Sequence, residues 1–223
     1  MPHTLPQGRD VIHSRFNRIL AVVIWVISAL LAAAALVNGT TIRLSDLAPA
    51  VLVSLLAWEA LWRPFVQIDD DGVTLGNVLR TITVPWAALV HVDTKFALTL
   101  YTPGRHYAAW AAPAPGRGAS NRAARAQGVS RPRAPMVGQP MVDLEAGSSS
   151  VLGDQGSRPG DLLGTESGDA AYLVRSRWTA LRDAGRLEVG AAETTKVTVA
   201  WHLPTAIALV LLLAATIIAI AIA

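Results

Sequence analysis

The sequence predicts an α+β chain in which a small antiparallel β domain is held between membrane helices. Three observations predict it. Apolar and polar residues alternate from Pro64 to Trp110, three long stretches elsewhere are almost free of charge, and one amphipathic segment at helical spacing follows the strands. The alternation runs through Val66 and Ile68, Val73 and Leu75, and Ile82, Val84 and Trp86. It resumes with Val90 and Val92, then Phe96, Leu98 and Leu100, then Tyr107. A period of two buries one face of each strand and wets the other. Turn residues separate the runs: Asp70-Asp71-Gly72, Gly76-Asn77, Pro85 and Pro103-Gly104. No helical pattern interrupts them, so 63–112 reads as an antiparallel meander, with six strands countable and a seventh expected near Val197 if one exists.

Composition places the rest. The 223 residues are 52% hydrophobic, with a mean hydropathy of +0.40, too apolar for an ordinary soluble protein. There is no cysteine, which excludes disulfides and thiolate metal sites. Net charge is +3, and lysine occurs only at 95 and 196. The arginine, alanine, glycine and proline content points to a high-GC bacterial coding bias.

Residues 1–18 hold two of the prolines near their start and no periodicity, and read as a flexible cytoplasmic tail. From Ile19 to Val37 no charge occurs, a helix of about 28 Å against about 30 Å of bilayer hydrocarbon. Asn38-Gly39 suits its end. Residues 44–62 form the return pass, with Pro49 near its start, so 19–37 and 44–62 make a transmembrane hairpin. A cleavable signal peptide is the competing reading, but its apolar core would be shorter and the second apolar run would need its own account. The third run, 203–223, is uncharged and follows Trp201-His202. Arginines cluster in the tail while the hairpin link carries only Arg43, so positive-inside puts the tail and β domain in the cytoplasm and the C-terminus outside.

Past Asp46 at the start of the return pass, Glu59 is the one charge inside the apolar passes. It reads either as an intramembrane carboxylate for ion or proton handling or as the partner of Arg63 one turn on, snorkelling at an interface marked by Trp58 and Trp62; the second is preferred. Residues 113–169, rich in Ala, Gly, Ser, Pro and Gln, read as a disordered insertion. Its arginines Arg117, Arg122, Arg125, Arg131 and Arg133 precede its acids, and could lie on anionic lipid or simply keep a spacer soluble. Order returns in 170–190. Ala171, Val174, Trp178 and Leu181 form a stripe opposite Arg175, Arg182 and Arg186, with Asp169 placed to cap the start and Gly185 near the end. Such a helix should cover the open end of the sheet, with Trp178 in its core.

No catalytic or cofactor motif is present. The five histidines lack ligand spacing, and Asp69-Asp70-Asp71-Gly72 is a hairpin tip, not a calcium loop with alternating ligands. The insertion's arginines lack interleaved aromatics and are neutralised by nearby acids, which argues against nucleic acid. No enzyme activity, metal, cofactor or small-molecule substrate is expected.

The run Trp62-Arg63-Pro64, Ile68 to Val73, Gly76-Asn77, Arg80-Thr81 and Val84-Pro85-Trp86 resembles the bacterial PH-like domain of membrane proteins in high-GC Gram-positive bacteria, the family that includes those named after low-molecular-weight protein antigen 6. Val-Pro-Trp after Arg-Thr is its most specific piece. The resemblance implies a bent antiparallel barrel closed at one end by a C-terminal helix, and no enzyme activity. A PH domain that grips phosphoinositides carries basic residues in its first hairpin; here that hairpin is acidic and would repel phosphate. The expectation is a multi-pass plasma-membrane protein with three spans whose cytoplasmic PH-like module binds a protein partner as a scaffold. An anionic-lipid sensor or an accessory subunit of a membrane transport complex is the alternative.

Overall fold

The computed structural model describes residues 8–37, 44–126, 159–187 and 190–222. The strands are β1 Asp10–Ile12, β2 Phe65–Ile68, β3 Gly72–Gly76, β4 Arg80–Pro85, β5 His91–Asp93, β6 Ala97–Thr102, β7 Arg105–Pro113 and β8 Thr198–Trp201. The α-helices are α1 Arg15–Val37, α2 Leu44–Ala57, α3 Arg117–Ala126, α4 Glu166–Asp183, α5 Ala191–Thr194 and α6 Leu203–Ile222, and a π-helical turn, Trp58–Trp62, continues α2. The architecture is mixed α+β with two antiparallel sheets, one in the order β1-β2-β3-β4-β8 and the other β5-β6-β7.

The single meander predicted over 63–112 is split into two, β2-β3-β4 and β5-β6-β7, one in each sheet. Their alternating residues meet in one core: Val66, Ile68, Val73, Leu75, Ile82 and Val84 from one sheet, Val92, Leu98, Leu100, Tyr107 and Ala109 from the other. Each fully buried branched side chain contributes about 1.5–3 kcal/mol. Val90 and Phe96 depart from the predicted alternation, because they lie just outside β5 and β6 and are exposed.

The sheet has two strands that the meander did not supply. Residues 10–12, expected within a flexible tail, pair with β2 through Asp10↔Ile68 and Ile12↔Val66. The strand expected near Val197 is β8, pairing with β4 from Thr83↔Thr198 to Arg80↔Trp201. A short strand gains order from an existing edge, which is why neither needs a strong pattern of its own.

The insertion expected to be disordered over 113–169 is ordered at both ends. Residues 117–126 are helical because Ala and Arg are strong helix formers, and Pro159–Asp161 forms a 3-10 turn. Residues 127–158, with Arg131 and Arg133, lie outside the described part, as do 38–43 of the hairpin link. The return is fixed by Thr94, whose hydroxyl donates to Asp161 at 2.9 Å, and by Arg175, which pairs with the same carboxylate at 2.7 Å and donates to the Val92 carbonyl.

The capping helix starts earlier than 170. Thr165, not Asp169, is its N-cap, accepting from the Gly168 amide at 3.1 Å, while Asp169 accepts from the Gly164 amide one turn in. Gly185, at φ +69, ends it with the paired Arg186→Leu181 and Gly185→Arg182 backbone bonds of a Schellman motif. Ala171, Val174 and Leu181 of the predicted stripe are buried, and Trp178 packs partly buried against the core.

Candidate functional site at the junction of helices and sheet

Three apolar helices leave the five-stranded sheet at one edge. Ile12 is three residues from α1, Phe65 follows the π turn of α2, and Trp201 is two residues from α6. The register Ile12↔Val66, Phe65↔Gly76, Gly76↔Thr81 and Arg80↔Trp201 sets these ends side by side. Among the described residues, one helical stretch, Arg15–Ala34, is long and apolar enough to cross a membrane, and Ala48–Trp62 and Leu203–Ala219 are shorter apolar helices. Helix α2 packs against both α1 and α6, and the Trp25 indole donates to the Ser54 carbonyl at 3.1 Å.

The edge is furnished with indoles and guanidiniums. Arg18 lies 5.1 Å from the Trp62 ring centre, Arg63 5.8 Å from Trp58, and Arg80 5.6 Å from Trp201. Glu59 is only 1% exposed, rather than drawn out toward solvent as snorkelling would have it, and accepts from Arg63 Nη1 at 2.6 Å. The sheet is bolted to the π turn as well. Pro64 has no N–H, so the Ala60 carbonyl lacks its α-helical donor; the indole of Trp110 on β7 donates to it at 2.6 Å. The bulge itself closes through the Arg63 amide and the Trp58 carbonyl. Asn77 joins the two sheets at the same edge, donating to the Ala108 carbonyl and accepting from the Trp110 amide, both at 2.9 Å.

The cap helix is tied to this edge by Glu166. Its carboxylate accepts from the Ser14 hydroxyl at 2.7 Å and from the Phe16 amide at 3.2 Å, while Ser14 caps α1 by accepting from the Asn17 amide. Glu166 therefore sits at the N-termini of both α1 and α4, where a negative charge is favoured by about 0.3–1 kcal/mol per helix. At the far end of the sheet the acidic hairpin has its own partners. Asp69 accepts from the Asp71 and Gly72 amides and from Gln67, and the Trp86 indole donates to the Asp69 carbonyl. Arg177 of α4, 5% exposed, donates to Asp70 at 2.9 Å and to the Ile68 carbonyl.

Of the predicted site residues, Glu59 and Arg63 are brought together. Arg122 and Arg125 are exposed on α3, which Arg117 begins, and Arg131 and Arg133 are not described. Trp110, Arg177 and Glu166 were missed. The signal for Trp110 was Pro64, which orphans a carbonyl; the other two are meetings of residues far apart in sequence. No group of three or more His, Asp or Glu side chains is placed to hold a metal among the described residues.

His13, beside Phe65 and just ahead of α1, has its pKa lowered from 6.5, first by burial and then by Arg18. The folded chain thus favours the neutral ring. Its contribution is complete above pH 6.5 and is lost as pH falls from there through the lowered folded value. Thermal midpoints should therefore fall more steeply below about pH 6.5 in the wild type than in His13→Gln. Identical pH slopes would remove His13 from the account.

Residues 63–134 match the family model described as a bacterial PH domain, consistent with a bacterial PH-like domain. The match covers β2 to β7 and α3 and leaves out β1, α4 and β8. A bacterial PH domain suggests a protein or lipid interaction module. No curated protein and no solved structure matches the chain.

Proposed function

We propose that the protein is a membrane-anchored interaction module, in which a PH-like barrel is held at the inner face of a bacterial plasma membrane by three spans and serves as a scaffold for a protein partner, with no catalytic role. The observation that supports it most is the common edge from which α1, α2 and α6 depart. Three apolar helices rooted in one sheet edge can enter one bilayer together. Helix α6, at 20 residues, is about 30 Å long, and the Trp58, Trp62 and Trp201 indoles at the roots match the aromatic belt of membrane proteins. Arg15, Arg18 and Arg63 lie on the sheet side of the spans, which favours a cytoplasmic domain with the far end of α6 outside.

Phosphoinositide binding at the first hairpin is disfavoured, because that tip is Asp69-Asp70-Asp71 and Asp70 is held by Arg177. A transport role through Glu59 is disfavoured by its engagement with Arg63. The partner-facing surface is best sought on the outer face of the second sheet, where His91, Tyr101 and His106 are exposed, the Tyr101 ring tilted against His91 at 5.7 Å and stacked with His106 at 5.5 Å.

The absence of cysteine makes the test direct. Single-cysteine chains Thr41→Cys, in the hairpin link, and Ser176→Cys, on α4, are exposed to an impermeant maleimide on intact cells. Only the first should label, and both should stay with membranes through carbonate washing. Release by carbonate, or labelling at 176, refutes the anchored cytoplasmic reading. A photo-reactive residue at position 101 should give a discrete protein adduct in the same cells, and a blank there refutes the scaffolding role.

A further inference from the structure

We infer that Arg18 and Arg80 form two seats for the phosphate groups of anionic phospholipids at the roots of α1 and α6. The inference rests on the membrane-anchored reading and goes beyond it, since a span needs no particular headgroup.

Two arginines stand apart from those that a carboxylate holds. Arg63, Arg175 and Arg177 are each bound to a carboxylate, of Glu59, Asp161 and Asp70. Arg18 and Arg80 have no hydrogen bond or ion pair from their side chains among the described residues, yet each is held over an indole, at 5.1 Å from Trp62 and 5.6 Å from Trp201. The Arg18 Nε is buried with no partner. A guanidinium lying on a ring keeps its in-plane fork of donors free, and that fork fits the two unesterified oxygens of a phosphodiester.

Their position names the source of the phosphate. Arg18 is in the first turn of α1, and Arg80 pairs with Trp201, two residues before α6. With the helices in lipid, both sit at headgroup level. The two acids of this edge leave them uncompensated: Glu59 is taken by Arg63, and Glu166 by Ser14 and the Phe16 amide. Arg18 follows β1, and Arg80 on β4 faces Trp201 of β8, at opposite ends of the strand order, so they hold two lipids and not one.

The full-length chain, purified in mild detergent, is mixed with equal phosphatidylglycerol and phosphatidylcholine, and retained lipid is counted by native mass spectrometry. The wild type should keep phosphatidylglycerol in preference. Arg18→Gln and Arg80→Gln should each cut that retention about fivefold, and the double variant more, while folding by circular dichroism is unchanged. Arg182→Gln, whose guanidinium lies over Trp178 on α4, should match the wild type. Equal retention of the two lipids by the wild type, or full retention by the double variant, overturns the proposal. So does displacement of the lipid by inorganic phosphate, which would make the sites seats for free anion. Loss of the chain from membranes on carbonate washing is a separate failure, that of the anchoring.

Discussion

Replacing Arg177 by alanine is expected to lower the stability of the β domain by about 2–3 kcal/mol, less than the loss for a pair buried on both sides. Arg177 is almost wholly buried, but its partner Asp70 is largely exposed and can return to water. The loss comes from three sources: the charge-assisted bond to Asp70, the donor to the Ile68 carbonyl, and the packing of the aliphatic stem under α4. Thermal unfolding of the full-length chain in mild detergent, followed by near-ultraviolet circular dichroism, reads the effect. Arg177→Met separates the sources, since it keeps most of the stem and should recover part of the loss. A midpoint unchanged in Arg177→Ala would mean that α4 is held by its apolar stripe alone.

Gly72→Ala should cost at least as much, about 3 kcal/mol, the upper end of the range for overpacking. Gly72 stands opposite Pro85 in the β3-β4 register, and a Cβ on it would lie 2.3 Å from the Val84 carbonyl oxygen. That neighbour is backbone and cannot rotate away, so the two strands must separate at the point where Trp86 pins the acidic hairpin. The near-ultraviolet signal of Trp86 should weaken along with the midpoint. Gly104→Ala, by contrast, meets no atom within 4 Å and strains only a turn at φ +77, so a larger loss there than at Gly72 would contradict the argument from close approach.

How much of this could be read in the chain follows from the range of each interaction. The strands of both meanders announced themselves because a period of two, broken by Asp-Gly and Gly-Asn turns, is a local signal. The Glu59-Arg63 pair was legible for the same reason, being one helical turn apart. Asp10–Ile12 was not, since three residues cannot display a period and their partner lies beyond two helices. Arg177 falls outside the stripe read for that helix; its burial depends on Asp70, 107 positions away. The helix Arg117–Ala126 was lost to composition, as a Gly- and Pro-rich neighbourhood masked a run of strong helix formers. Trp110 ends the alternating stretch, and the Ala60 carbonyl that it serves leaves no mark in the sequence except Pro64, four residues on, which has no N–H to give.

The five-stranded sheet carries a consequence for biogenesis. Its last strand begins at Thr198 and pairs with Arg80 to Thr83, so the sheet is completed only when nearly the whole described chain has been synthesised, and loop closure over such a span is slow. Were β8 kept from its place, Arg80 to Thr83 would be left as a bare edge, open to pairing with another copy. If the anchored reading proposed above holds, completion of the sheet would act as a proofreading step on insertion, the domain becoming whole only with β8 on the side of its partner strand.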